Sequence, residues 1–279
     1  MYTSMINLMK DARENGYCIP ACAVENEHSV RAILNAAQEK DSPVILISLY
    51  KVNPDIDMWG RIVEDMALRA SVPVALCQDH GGTFEEAMKA VHAGFTDLMV
   101  DRSALPFDEN VAQVAEIVKV AHACGMGVEA ELGHVGSETV DVDNYMQPDE
   151  AVRFVELTGC DALAVAIGTT HGVYKNGNPH LEFELLQELR EKVPVPLVLH
   201  GGSGTGDEAL AKASTMGITK LNLSNDLKRG AIGELLELGD NIMGMGAYQM
   251  YPRLTKGYQE AAAHYMDVCG SAGKAANFR

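Results

Sequence analysis

The chain has 279 residues, of which 47% are hydrophobic, enough for the core of one large α/β domain or two small ones. A formal charge of −17 argues against nucleic acid as a partner, since phosphate backbones are held by clustered Lys and Arg; a small phosphorylated ligand needs only a few local donors and stays open. Met1 to Met5 lack the basic-then-apolar order of a secretion signal, no apolar run approaches the roughly 20 residues of a bilayer span, and Cys18, Cys22, Cys77, Cys124, Cys160 and Cys269 form no C-x-x-C pair; the expectation is a cytoplasmic protein with reduced thiols and no membrane contact.

A weak strand pattern over Tyr17–Ala21 opens an alternation of apolar runs and amphipathic stretches. Strands are expected at Pro43–Ser48, Pro73–Gln78, Asp97–Val100, Met126–Glu131, Ala162–Ile167, Val195–His200 and Ile218–Leu223. Helical spacing of apolar residues marks Phe84–Ala93, Asp108–Cys124, Pro148–Leu157 and Asp207–Met216. Two of these carry start and stop signals, from Thr83 to Gly94 and from Asp207 to Gly217. The stretch from Gly239 to Gly246 reads as the nearest thing to a flexible insertion, before a last helix from about Thr255 to Cys269. Eight strands alternating with helices predict an α/β protein, a (β/α)8 TIM barrel, as a single domain over residues 1–279. A doubly wound sheet is the competitor, but its G-x-G-x-x-G opening is missing after the first strand.

Three of these strands run into a histidine. The third delivers Asp79 and His80, the sixth leads through Gly168, Thr169 and Thr170 to His171, and the seventh ends directly in His200. In a parallel barrel the carboxyl ends of the strands share one face, so these side chains can meet. Three neutral imidazoles with an open position suit catalytic zinc. Asp101, Glu131 and Asn222, at the ends of the fourth, fifth and eighth strands, complete a ring of polar residues on the same face. Asp101 and Glu131 also have a simpler use as caps of the helices that follow. His28, His92, His122, His134, His180 and His264 have no such placement and read as ordinary hydrogen-bonded or surface residues.

Glycine supplies a second constellation. Gly201, Gly202, Ser203 and Gly204 leave the seventh strand before a helix, and Asn222, Leu223, Ser224 and Asn225 lead from the eighth strand into another. Backbone N–H groups of such loops approach anions, and in many barrels these two loops form the phosphate site. Lys175, just beyond His171, can neutralise the same phosphate.

Several segments together resemble the class II, metal-dependent ketose-bisphosphate aldolases of the fructose- and tagatose-bisphosphate kind. They are Leu76–Gly81, Ala93–Asp101, Val128–Gly133, Ala166–Lys175, Pro196–Gly204 and the ending Gly270–Ala275, and the resemblance covers nearly the whole chain. It implies a (β/α)8 barrel, a homodimer or homotetramer, and zinc as the metal. Position by position it makes His80, His171 and His200 the zinc ligands, Asp79 the proton-transferring acid, and Asp101 and Glu131 carboxylates near an alternative metal position. It places Gly172, Gly201, Ser203 and Asn222 at the dihydroxyacetone-phosphate site, with Lys175 at a phosphate position, and implies a monovalent cation near the same glycines in some members.

The chain departs from the family pattern at Cys77 (usually His), Gln78 (usually Leu), Cys22 and Ala23, Arg102 (usually Gly), Ser137, Ser224 and Asn225. Glu138 is the nearest match to a mobile-loop acid. Ser224, Asn225 and Arg102 are expected to alter the polar lining of the mouth, so substrate choice is touched more than metal binding.

The expected activity is therefore zinc-dependent, reversible cleavage of a phosphorylated ketose to dihydroxyacetone phosphate and an aldehyde. A phosphorylated deoxy-keto-gluconate is the alternative substrate. A non-catalytic barrel subunit and a zinc hydrolase are the rivals from other classes. Asp79 beside the histidines disfavours the first, since a scaffold needs no such group. The paired phosphate loops disfavour the second.

Overall fold

The computed structural model describes residues 1–133, 146–170, 174 and 179–279. Its centre is a closed barrel of eight strands in sequential order. The strands are β1 (Ile19–Ala23), β2 (Val44–Leu49), β3 (Val74–Gly81), β4 (Asp97–Val100), β5 (Gly127–Leu132), β6 (Ala162–Val165), β7 (Leu197–Leu199) and β8 (Ile218–Leu223). Every neighbouring pair is parallel, including β1 with β8, which closes the ring. Nearly every strand position is buried, as expected where helices cover the outside and side chains fill the inside.

The helices are α1 (Met5–Asn15), α2 (Glu27–Glu39), α3 (Ile56–Leu68), α4 (Phe84–His92), α5 (Phe107–Ala123), α6 (Pro148–Thr158), α7 (Phe183–Lys192), α8 (Asp207–Met216), α9 (Asn225–Leu236) and α10 (Ala247–Val268). Local chemistry explains their starts and stops. Asn26 and Ser29 form a reciprocal capping box on α2, the Thr83 side chain accepts from Glu86 N–H on α4, and Gly16 and Gly159 end α1 and α6 in the left-handed conformation.

Near the carboxyl terminus the structure differs from the sequence expectation. The last helix begins at Ala247, well before Thr255, because Pro252 lies near the amino end of α10, where few backbone bonds are lost to it. The segment expected to be a flexible insertion forms a 3-10 turn, Gly239–Gly244.

Helix α1 was not anticipated, although Met5, Leu8, Met9 and Ala12 carry the spacing of one helical face. That face closes the foot of the barrel against Ile19, Ile45, Ala75, Ala162 and Val198. Ser4 Oγ donates to Asp97 Oδ1 at 2.6 Å and Met5 N–H to Asp97 Oδ2 at 2.6 Å, pinning the start of α1 beneath β4. Above this layer the inward positions include the small residues Ala21, Ala23 and Ala164, which leaves room for long polar side chains within the barrel.

Candidate active site

The carboxyl ends of the strands surround a cleft of ≈ 190 Å³, whose lining includes Asp79, His80, Gly201, Ser203, Asn222 and Ser224. Successive residues of a strand face opposite ways, so Asp79 and His80 would not ordinarily share one. The backbone resolves this. The register of β3 against β4 shifts between Gln78 and Gly81, and His80 has φ 49°, a left-handed value that costs a non-glycine residue about 1–3 kcal/mol. Both side chains thereby reach the cleft.

His80 Nδ1 lies 3.0 Å from Asp101 Oδ2. Asp101 is held in turn by Ser103, whose N–H and Oγ–H reach Asp101 Oδ1 at 3.0 and 2.7 Å; Ser103 Oγ is also 3.1 Å from Glu131 Oε1. Burial opposes charge on Asp101, yet the hydrogen bonds from His80 and Ser103 keep its carboxyl well below the usual range. Burial alone would lower the His80 imidazole, but Asp79, Asp101 and Glu131 push it up to about 9. Such an environment favours a cation, whether a proton or a metal.

His200 is fully buried. Its Nε2 lies 2.8 Å from Glu129 Oε1, and its Nδ1 faces Glu131 Oε2 at 3.7 Å. The His80 and His200 rings meet edge to face with centroids 4.9 Å apart. One ligand atom from each of His80, Glu131 and His200 lies within 4.8 Å of the others. Two imidazoles and a carboxylate suit zinc or a similar transition metal. Carboxylates also brace both rings, Asp101 at Nδ1 of His80 and Glu129 at Nε2 of His200, which fixes their orientation at the cluster. His171, Gly172 and Lys175 lie outside the described residues, as does Glu138.

On the opposite wall, Asn222 Nδ2 donates to Asp79 Oδ1 at 3.2 Å, so the carboxylate is held at the cleft beside His80. The two loops above β7 and β8 are knitted together. Ser203 Oγ accepts from Ser224 and Asp226 N–H at 3.3 and 3.2 Å, Gly202 N–H reaches Asn222 O at 3.2 Å, and Gly204 N–H reaches Asp226 Oδ2 at 2.7 Å. Gly202 and Gly204 thus spend their N–H groups on the scaffold, while Gly201, Ser203, Leu223, Ser224 and Asn225 line the cleft. Gly201 is required by space as well as by its φ of 69°, because a Cβ there would stand 2.4 Å from Thr170 O. The Tyr174 hydroxyl closes the same junction. It accepts from Thr170 N–H at 2.8 Å and lies 3.0 Å from Thr170 O and 3.1 Å from Gly201 O.

Arg102 does not line the cleft, contrary to the expectation from its position. It is buried, with Nη1 bonded to Gly81 O at 2.8 Å and Asp101 O at 2.7 Å, and Nε to Gln113 at 2.8 Å. Its guanidinium has enough backbone acceptors nearby to be drawn under the loop rather than out into the mouth. Gln78 likewise turns away from the cleft, donating to Glu86 O at 3.3 Å. Among the other histidines, His122 and His264 sit beside the surface carboxylates Asp161 and Asp207, and His28 stacks on Tyr251.

Sequence reading gives no role to two residues of this region: Glu129, and Lys220, which is set aside as a Schiff-base lysine because it lies inside a strand rather than at its tip. Both are fully buried inside the barrel and paired at 2.8 Å. Burial disfavours the Glu129 charge, but Lys220 and then His200 overcome this and lower its pKa. The signal was period-two alternation: Glu129 shares a strand face with Glu131, and Lys220 shares one with Asn222.

The fold agrees with what comparison with known proteins shows. The sequence profile of the family described as fructose-bisphosphate aldolase class-II matches residues 3–274. The chain is 38% identical over 272 residues to protein YdjI of Escherichia coli (strain K12), covering 95% of this chain and 96% of that one. It is 40% identical over 234 residues to a Bacillus subtilis (strain 168) protein named as a probable fructose-bisphosphate aldolase, covering 80% and 81%. The crystal structure of the YdjI aldolase superposes with a TM-score of 0.90 at 36% identity, over 99% of this chain and 100% of that chain. With a matching profile over nearly its whole length and a closed eight-stranded barrel, the chain belongs to the class-II fructose-bisphosphate aldolase family, a family of lyases.

Proposed function

We propose that the protein is a zinc-dependent aldolase that reversibly cleaves a phosphorylated ketose into dihydroxyacetone phosphate and an aldehyde. The observation that carries this reading is the pairing of Asp79, oriented by Asn222, with His80 in one cleft, facing the inward edges of His200 and Glu131. His80 and His200, together with His171, would hold the zinc, with Glu131 close by. When bound, zinc supplies a Lewis acid that polarises the ketose carbonyl.

The chain's own residues do the rest. The phosphate is seated against Gly201, Ser203 and the amino end of α9, where the Ser224–Asn225 turn enters the helix. This fixes the carbonyl end of the substrate at the imidazole cluster and the carbinol two carbons along, β to the carbonyl, at Asp79. Asp79 takes the proton of the carbinol hydroxyl as the carbon–carbon bond breaks. The hydroxyl oxygen becomes the aldehyde oxygen. The bonding electron pair stays with the three-carbon ketone fragment, which takes up a proton at carbon to become dihydroxyacetone phosphate. In the condensation direction Asp79 returns its proton to the new hydroxyl.

The six free cysteines fit a reducing cytoplasm, and among the described residues no helix is long and apolar enough to cross a membrane. The exposed side chains Ile232, Leu236, Met243 and Tyr248 around α9 and α10 support a homodimer or homotetramer, which light scattering would show.

The test of function is a ketose-phosphate panel offered to protein that has been stripped of metal and reloaded with zinc. Triose phosphate release should depend on zinc and vanish with a chelator. A folded, zinc-loaded protein that releases none from any member of the panel would overturn the reading.

A further inference from the structure

Lys220 is a fully buried cation in the middle of the barrel, and the mechanism above gives it no task. Its Nζ lies 2.8 Å from Glu129 Oε2 and donates to Asn222 Oδ1 at 2.7 Å. Beyond these two partners lie the two halves of the cleft, since Glu129 holds His200 and Asn222 holds Asp79. It is no Schiff-base nucleophile. Burial disfavours its charge, but Glu129 and the other anions around it raise its pKa, and a protonated amine has no lone pair to attack a carbonyl.

The chemistry of the donors sets a direction along both chains of hydrogen bonds. An ammonium only donates, so the Asn222 atom facing it must be the oxygen, and the amide nitrogen is turned to Asp79. With the amide flipped, an oxygen would face a carboxylate. An ionised carboxylate only accepts, so the His200 nitrogen facing Glu129 carries the hydrogen, and a metal at this ring must take Nδ1, the atom that faces the cluster with His80 and Glu131. Packing gives no reason to keep such a pair, because apolar residues of similar volume commonly replace buried ion pairs without loss of stability.

We propose that Lys220 is a positioning residue for both halves of the active centre, setting the Asn222 amide that orients Asp79 and, through Glu129, the ring and tautomer of the metal-binding His200. The Asp79 half rests on the aldolase reading above; the His200 half concerns metal binding alone.

The experiment compares the wild type with Lys220→Met and with the double variant Lys220→Met/Glu129→Gln, which removes both buried charges together. Three properties are measured on each: zinc affinity by competition with a chromophoric chelator, ¹⁵N-histidine spectra of the zinc-free protein, and kcat and KM separately. Both variants should bind zinc about 10–100-fold more weakly. Both should lose the uniform Nε2–H form of His200, and kcat should fall by about 100-fold with KM little changed. The double variant should keep a melting temperature near that of the wild type, which separates positioning from folding. Wild-type kcat and zinc affinity in the double variant would overturn the proposal.

If neither variant folds, the spectrum of the wild type decides: a hydrogen on His200 Nε2 supports the relay, and one on Nδ1 overturns it. Should the wild type cleave no ketose phosphate while the variants still lose zinc affinity and the tautomer, the His200 half stands and only the aldolase reading falls.

Discussion

Ser4 and Asp97 stand 93 residues apart in the chain and 2.6 Å apart in the structure, and the same carboxylate also accepts the N–H of Met5. One buried acid therefore ties the amino end of α1 to the foot of β4. Asp97→Ala would strand both donors, and hydrogen bonds to charged groups contribute about 1.5–3 kcal/mol each. The expected outcome is a stability loss of about 3 kcal/mol, read as a lower urea midpoint with an unchanged slope.

Asp97 also makes a pH prediction. Burial pushes its carboxyl up from 3.8 to about 6, against the hydrogen bonds from Ser4 and Met5. Over that interval the folded state binds the proton more tightly than the unfolded state, so rising pH costs stability between the two values and nothing further above the higher one. Compared with Asp97→Asn, which does not titrate, the wild type should lose roughly 2 kcal/mol of relative stability between about pH 4 and about pH 6.5. A constant difference across that range would contradict the assignment.

Asp79→Asn keeps the shape of the side chain but cannot accept the carbinol proton. Zinc content should stay at the wild-type level while kcat falls by about 10²–10⁴-fold. Elemental analysis and steady-state rates on the same preparation check it, and near-normal turnover would remove Asp79 from proton transfer.

Gly201→Ala places a methyl group 2.4 Å from Thr170 O on a backbone with φ 69°. The β6 and β7 loops, joined there by the Tyr174 hydroxyl, must separate. A loss of about 2–4 kcal/mol in stability is expected, together with weaker substrate binding. Thermal denaturation and KM measure the two effects; a variant matching the wild type in both would show that the junction opens freely.

Much of this architecture was legible in the residues. The eight strands announced themselves as short apolar runs bounded by turns, and Asp79, His80 and His200 stood out because polar groups at the same end of successive strands have no packing use. Other features were hidden for physical reasons. His80 reaches the cleft beside Asp79 only through a left-handed backbone step, which no spacing rule reports. Arg102 seemed to belong to the mouth, yet the carbonyls of Gly81 and Asp101 draw it beneath the loop. Lys220 read as an ordinary strand residue, because its partner Glu129 comes from a strand on another part of the ring.

Substrate range follows from the lining that remains. Ser224, one of the departures from the family pattern to which the sequence is similar, lines the cleft together with Asn225. A pocket built to hydrogen-bond particular hydroxyls discriminates strongly against ligands that leave its donors unpaired. Fructose-1,6-bisphosphate should therefore have a lower kcat/KM than at least one other phosphorylated ketose or keto acid. A steady-state comparison across the panel in which it ranks first would refute this.

Helix α1 gives the barrel a direction of traffic. With Met5, Leu8 and Met9 filling its foot, nothing passes through the axis, and whatever enters above must leave by the same door. For a reaction that makes two molecules from one, departure becomes a queue: the fragment nearer the rim goes first, and the one seated deeper waits behind it.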